Sequence, residues 1–193
     1  YYNLAKENFY FLVDTAVGNH QVDVELMSRN LVNDSLKKND AFIRYKIKDV
    51  TIISGLDIFD KSSLEDFKEK EEVNYRGINI IYGKKRFIRP PMLYANNFIR
   101  PGRYYSDRLQ ENTYSSLNSM SAVKQATIEY TPVKDSALLN ATITIAPANI
   151  YYWQVGLDGT NSAGNLGMAA YTTFQDRNIF NGSETFRIKL NGA

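Results

Sequence analysis

Asp57, Asp60, Glu65 and Asp158 are carboxylates that could be proposed for general acid–base work. Two carboxylates about 5 to 10 Å apart in a cleft hydrolyse glycosides, but sequence spacing does not bring these four to that geometry. Asp158-Gly159-Thr160-Asn161-Ser162 begins like a calcium loop. An EF-hand needs Gly at its sixth position and Glu at its twelfth, and this chain has Ala163 and Ala169 there. The stretch reads instead as a glycine-rich hairpin tip, a place where binding surfaces are often built.

Other chemistries lack their residue types. The chain has no Cys and one His, His20, so a zinc site of Cys and His cannot be assembled within it. A Ser-His-Asp triad would have to use His20, and no G-x-S-x-G elbow is present. Neither a G-x-x-x-x-G-K-[ST] loop nor a G-x-G-x-x-G turn occurs. The expectation is a non-enzymatic protein with no cofactor and no metal, for which a small-molecule substrate is unlikely.

The most unusual segment is 82–108. Lys84, Lys85, Arg86, Arg89, Arg100, Arg103 and Arg108 face one acid there, Asp107, while the remaining residues hold 16 bases and 20 acids. Tyr82, Phe87, Tyr94, Phe98, Tyr104 and Tyr105 are interleaved, and Phe87-Ile88-Arg89-Pro90 recurs as Phe98-Ile99-Arg100-Pro101. Such a stretch can neutralise phosphates and stack on bases. It can lie on an acidic neighbouring subunit as a Pro-stiffened arm, or pack on its own domain through Phe87, Leu93 and Phe98. The arm is favoured. Its candidate interaction residues are Arg86, Phe87, Arg89, Tyr94, Phe98, Arg100, Arg103, Tyr104, Tyr105 and Arg108.

These residues need elements to position them. The chain of 193 residues, with net charge +2, 44% apolar and 23% charged residues, suits a single folded domain. Its longest apolar run, Phe9 to Val13, is far short of the ~20 residues of a membrane helix, so no membrane span is expected. A chain opening on Tyr1 points to processing or to a piece of a longer protein.

Leu4, Phe9, Leu12, Val13, Ala16 and Val17 fall at helical spacing, as do Leu26, Met27, Leu31, Val32 and Leu36. They predict helices over 4–17 and 23–38, with His20 bordering the turn between them. Ala41 to Ile53 reads as a long strand with a bulge. A short acidic helix follows with a capping box at Ser62-Ser63-Leu64-Glu65, in a stretch, 57–72, holding seven acids and three lysines. Ile78–Tyr82 and Arg86–Ile88 predict a hairpin through Gly83-Lys84. Pro90, Pro91 and Pro101 make 89–121 an extended irregular arm. Five strand candidates then follow: 123–131, 137–146, 150–157, 168–175 and 185–190.

The fold class expected is α+β: N-terminal helices (1–40), a mixed α/β segment (41–88), the arm (89–121) and an all-β part (122–193) forming a mainly antiparallel sandwich or barrel. Scarce catalytic residue types and the arm point to a structural subunit of a larger assembly. A virion or phage capsid, a tail or head–tail component, or a surface filament would fit, with copies of itself or other structural subunits as partners and a virion or extracellular location. Two alternatives stand beside it: an extracytoplasmic binding or adhesion module using the β-loops, and a nucleic-acid-binding domain working through 82–108.

Overall fold

The computed structural model describes residues 9–14, 23–28, 44–57, 59–162 and 165–192. Ten strands and three helices lie among them. Strands β1 (Phe9–Asp14) and β2 (Asp23–Ser28) pair antiparallel, with Phe9 opposite Ser28. The N-terminal helices expected over 4–17 and 23–38 are therefore corrected to a strand pair. The run Phe-Tyr-Phe-Leu-Val at 9–13 is rich in aromatic and β-branched residues, and such short apolar runs fit either period. His20 lies outside the described residues.

The core belongs to a mixed five-stranded sheet in the order β4-β5-β3-β7-β6. These strands are β3 (Lys46–Ser54), β4 (Glu71–Tyr75), β5 (Ile78–Tyr82), β6 (Val123–Pro132) and β7 (Leu138–Pro147). The central strand β3 runs parallel to both β5 and β7, and the register along β7 shifts between Ile47 and Val50, a bulge. Parallel strands need long connections, and the one from β5 to β7 carries the helices α2 (Pro90–Asn96) and α3 (Asp107–Asn118) as well as β6. Val50, Ile52, Ile78, Ile80, Ile88, Leu93, Leu117, Ile143 and Ile145 are all but inaccessible and form the core.

Two further expectations change here. Residues 89–121 hold two helices rather than an irregular arm. Pro90 and Pro91 occupy the first positions of α2, where an N–H has no intrahelical partner and proline's fixed φ suits the start of a helix. The prolines open the helix instead of blocking it. Strand β5 pairs not with 86–88 but with β4, through Arg76 and Gly77 at φ of 53° and 81°. Two positive φ values make the two-residue turn that matches strand twist.

The short helix α1 spans Lys61–Asp66. Ser63 accepts a hydrogen bond from the Asp57 N–H at 2.7 Å and donates to the Gly55 carbonyl at 3.0 Å. It ties down the preceding loop, and because α1 begins at Lys61, Ser62 lies inside the helix and not at the N-cap that the capping box requires.

A second sheet of three antiparallel strands, in the order β10-β9-β8, completes the described chain. Its strands are β8 (Tyr151–Ser162), β9 (Asn165–Asp176) and β10 (Phe186–Gly192). Among the described residues this sheet is open at both edges and no closed barrel or sandwich forms, which corrects the expected architecture.

Candidate functional site

The three-stranded sheet is the part of the molecule whose chemistry is unspent. Antiparallel register places Trp153 opposite Phe174 and Ile188, and Val155 opposite Thr172 and Leu190. Residues opposite one another share a face. One face thus carries Tyr151, Trp153, Val155, Leu157, Ala170, Phe174, Phe186, Ile188 and Leu190, with Met168 opposite Gly159, and holds Thr172 and, at the end of the row, Asp176 as its polar members. Trp153 is 75% exposed, Leu157 71%, Met168 76% and Leu190 63%. A contiguous apolar face of this kind marks a surface meant for something other than water.

The other face is polar. Tyr152, Gln175 and Arg187 align across the strands, as do Gln154, Thr173 and Lys189. The Arg187 guanidinium donates twice to Gln175 Oε1, at 2.8 and 3.1 Å. Tyr152 donates to Gln154 at 2.9 Å, and the Lys189 ammonium stands 5.0 Å from the Tyr171 ring centroid. This face borders a groove of about 570 Å³, to which Asp158, Arg177, Arg187 and Lys189 contribute charge. Opposite Tyr171 stands Gly156, where a Cβ would collide with the phenol ring. The ring can lie across the strand only because that position is glycine.

The aromatic residues of the apolar face gather towards one end of the strands. Tyr151 and Phe174 stack with centroids 6.2 Å apart, and Trp153 Nε1 donates to Thr172 at 2.8 Å. That same end is tied to the mixed sheet by the loop 177–185. Asn178 Nδ2 donates to the Phe87 carbonyl at 2.7 Å, and its Oδ1 accepts the Ser183 N–H at 2.9 Å. Ser183 Oγ accepts the Ala122 N–H at 2.8 Å, and Ser121 Oγ donates to the Ser183 carbonyl at 2.8 Å. Arg89 reaches Glu184 at 2.6 Å.

The residues singled out in 82–108 lie in or against the mixed sheet's own structure. Arg86 pairs bidentately with Glu71, which raises the guanidinium's pKa and lowers the carboxylate's. Phe87 packs on the core, and Arg89 joins the junction just described. Arg100 lies 4.0 Å from the centroid of Tyr94 and donates to its carbonyl at 2.8 Å. Its charge, more than its hydrogen bond, lowers the Tyr94 phenol's pKa. Arg44 covers Tyr104 at 3.7 Å. Tyr105 bonds Asp107 and Gln110, and its ring meets Tyr130 edge-on at 4.9 Å. Phe98, Arg103 and Arg108 are exposed. The segment brings Arg100 to Tyr94, sets Arg100, Arg103, Tyr104 and Tyr105 round one small pocket, and takes Arg89 to the junction and Arg86 to Glu71.

The candidate carboxylates do not converge. The Asp57 carboxyl is held below its ordinary range by a hydrogen bond from Lys124, at 2.8 Å, and by one from the Phe59 N–H. Asp60 and Glu65 are exposed around α1, and Asp158 stands on the other sheet, inside β8. Among the described residues no cluster of His, Asp and Glu suited to a metal ion forms. Tyr82 is the most buried of the described aromatics: its hydroxyl donates to the Ile88 carbonyl at 2.6 Å, and burial pushes its pKa up to about 12.

The two-faced sheet escaped sequence reasoning although its signal was present. Tyr151, Trp153 and Val155 alternate with Tyr152 and Gln154 in the sequence, but alternation alone does not tell a face turned to a core from one turned outward.

No protein-family model matches the chain, and no curated protein matches it. Solved structures do. BamA from Haemophilus ducreyi lacking POTRA domains 1–3 is similar over 98% of this chain and 28% of that one, at 13% identity and a TM-score of 0.50. CdiB from Acinetobacter baumannii covers 77% of this chain and 38% of its own at 9% identity, with a TM-score of 0.42. At these identities the likeness concerns the fold, and this chain spans a little over a quarter of the BamA chain. The likeness to BamA overturns the expectation of a virion, tail or filament subunit, and the virion location with it, since that structure is no particle component.

Proposed function

We propose that residues 151–192 form part of the wall of a membrane-spanning β-barrel, and that the mixed-sheet unit, 44–147, is a folded domain held at its rim. The observation carrying this reading is the exposed apolar face of β8, β9 and β10 set against a polar, charged opposite face. Barrel walls alternate in this way, apolar towards lipid and polar towards the lumen, with aromatic girdles at the interfaces. Strands β8 and β9 have twelve residues each, against the ~9–11 that a tilted strand needs to cross a bilayer. No described helix is long and apolar enough to cross a membrane, and a barrel needs none.

Both outer strands carry a row of unpaired backbone groups in the described sheet, which a bilayer does not tolerate. Further strands must meet them, from the rest of a barrel or from a polypeptide being handled. The likeness to BamA supports an envelope protein of this build. The matched BamA structure lacks POTRA domains 1–3, and we read 44–147 as a domain of POTRA type. A role in inserting or exporting other polypeptides, which would be its partners, extends the same proposal. The groove beside Arg177, Arg187 and Lys189 then faces the lumen.

Extraction tests the reading. Membranes containing the full-length protein are washed with urea at alkaline pH. The native protein stays in the pellet; Leu157→Arg, on the apolar face, moves to the supernatant, whereas Gln154→Arg, on the polar face, does not. Release of the native protein as a soluble species overturns the proposal.

A further inference from the structure

Strands β3, β5 and β7 are parallel, so their C-terminal ends lie together. The antiparallel partners β4 and β6 start at that same end. From it the chain leaves through 148–150 into β8, and against it the loop 177–185 docks. This end also carries large apolar side chains that stand exposed: Phe59 is 87% exposed, Phe180 68%, Leu64 46% and Ile179 39%. Their loops are linked. Asp57, two residues before Phe59, pairs with Lys124 at 2.8 Å. Lys124 lies two residues after Ala122, whose N–H binds Ser183 of the Phe180 loop.

We infer that this end of the mixed sheet is itself a lipid-contacting surface, with Phe59, Phe180 and Ile179 inserted at the headgroup–acyl boundary of the bilayer that the strands cross. The inference rests on the barrel reading and goes beyond it, because it puts the rim domain in the membrane interface as well as the wall. Continuity names the occupant. The apolar side chains begin where the aromatic end of the strand face, Tyr151, Trp153 and Phe186, leaves off, and that end is where a barrel meets headgroups. Interfacial segments bury aromatic and aliphatic side chains roughly 5–10 Å into that boundary. Charge is not the attraction here. Exposed Lys61, Lys84 and Lys85 share this end with exposed Asp60, Glu65 and Asp66, so a zwitterionic surface suffices.

These 193 residues contain no cysteine, which suits labelling at single sites. Phe59→Cys, Phe180→Cys, Leu157→Cys and Lys134→Cys are each made in the full-length protein, with any cysteine elsewhere replaced. Each variant carries an environment-sensitive fluorophore and is reconstituted into phosphatidylcholine vesicles with or without lipids brominated near the headgroup end of their chains. Lys134 lies in the turn between β6 and β7, at the far end of the mixed sheet. The expected result is blue-shifted, bromine-quenched emission at positions 59 and 180, a blue shift at 157 and neither effect at 134. Blue-shifted emission at 157 with water-like emission at 59 and 180 overturns the inference and leaves the barrel standing. Water-like emission at all four overturns both. Quenching at 134 as well overturns the inference, because lipid contact would then not be confined to this end.

Discussion

Ile80 on β5 and Val155 on β8 are both β-branched side chains on one face of a strand, yet the first is fully buried and the second 66% exposed. Tyr82 and Trp153 differ in the same way, at 0% and 75%. The mixed sheet uses its alternation to make an interior: β7 alternates between buried and half-buried positions along its length. The three-stranded sheet alternates as regularly, but β10 is exposed at every position. One pattern serves two different ends. The mixed sheet supplies its own apolar environment through α2, α3 and the core, whereas the second sheet leaves that environment to its surroundings.

Truncation in the two sheets should separate them most. Ile143→Ala in β7 is expected to cost the mixed unit about 2–5 kcal/mol, the range for deleting a buried aliphatic side chain. Leu190→Ala, on a side chain 63% exposed, should leave urea unfolding of that unit almost unmoved. Equal losses would mean that the apolar face of β10 is buried after all.

A charge on the apolar face reverses the ranking. Val155→Lys should cost up to about 2–4 kcal/mol in reversible folding into vesicles, if the site lies near the bilayer midplane. It should be nearly silent in the mixed unit's hydrogen exchange. A silent result in vesicles would break the comparison from the lipid side.

The junction is where the two regions meet. Asn178 is buried, with one amide hydrogen bond to Phe87 and one from Ser183. Asn178→Ala leaves both backbone groups short of a partner, at about 1–3 kcal/mol. Faster amide exchange in 177–185, with the core of the mixed sheet still protected, is the expected reading.

Acid gives the smallest effect. The Asp57 and Glu71 carboxyls are held below their ordinary values of 3.8 and 4.5 by hydrogen bonds from Lys124 and Arg86. A depressed folded pKa contributes stability that is present above the unfolded value and lost as pH falls through the folded one. The urea midpoint of the mixed unit should drop below about pH 4, and Lys124→Met should flatten the Asp57 share of that drop.

Several elements were legible from residue pattern alone, and others were not. Strands β6 to β10 cover the stretches marked by alternation, with β8 and β9 running further, into Asp158-Gly159 and Asn165-Leu166. Glycine there was taken for the turn, but in an exposed strand it costs only modest propensity. The N-terminal strands were read as helices because 9–13 is too short for its period to decide. The strand β4 begins inside the acidic stretch 57–72, with Glu71 and Glu72. It is a strand because it forms the sheet's edge, where half-exposed charges are tolerated. The ten basic and aromatic positions of 82–108 were visible as a cluster in sequence. Arg86, Arg89 and Arg100 instead found partners at Glu71, Glu184 and Tyr94, two of these well outside the segment.

Amino-acid order by itself determined where most strands run, which residues alternate, and that no Cys-built or His-built metal centre exists within the chain. These are properties of local backbone geometry and of composition, and neither depends on a distant contact. Tertiary structure alone decided which alternating face has a partner. Burial is a property of pairs of surfaces: α2 and α3 pack against the mixed sheet's side of the molecule, and nothing in the described chain covers Trp153, Leu157 or Leu190. A test for long apolar runs is blind to such a face, because in a strand every second residue points the other way.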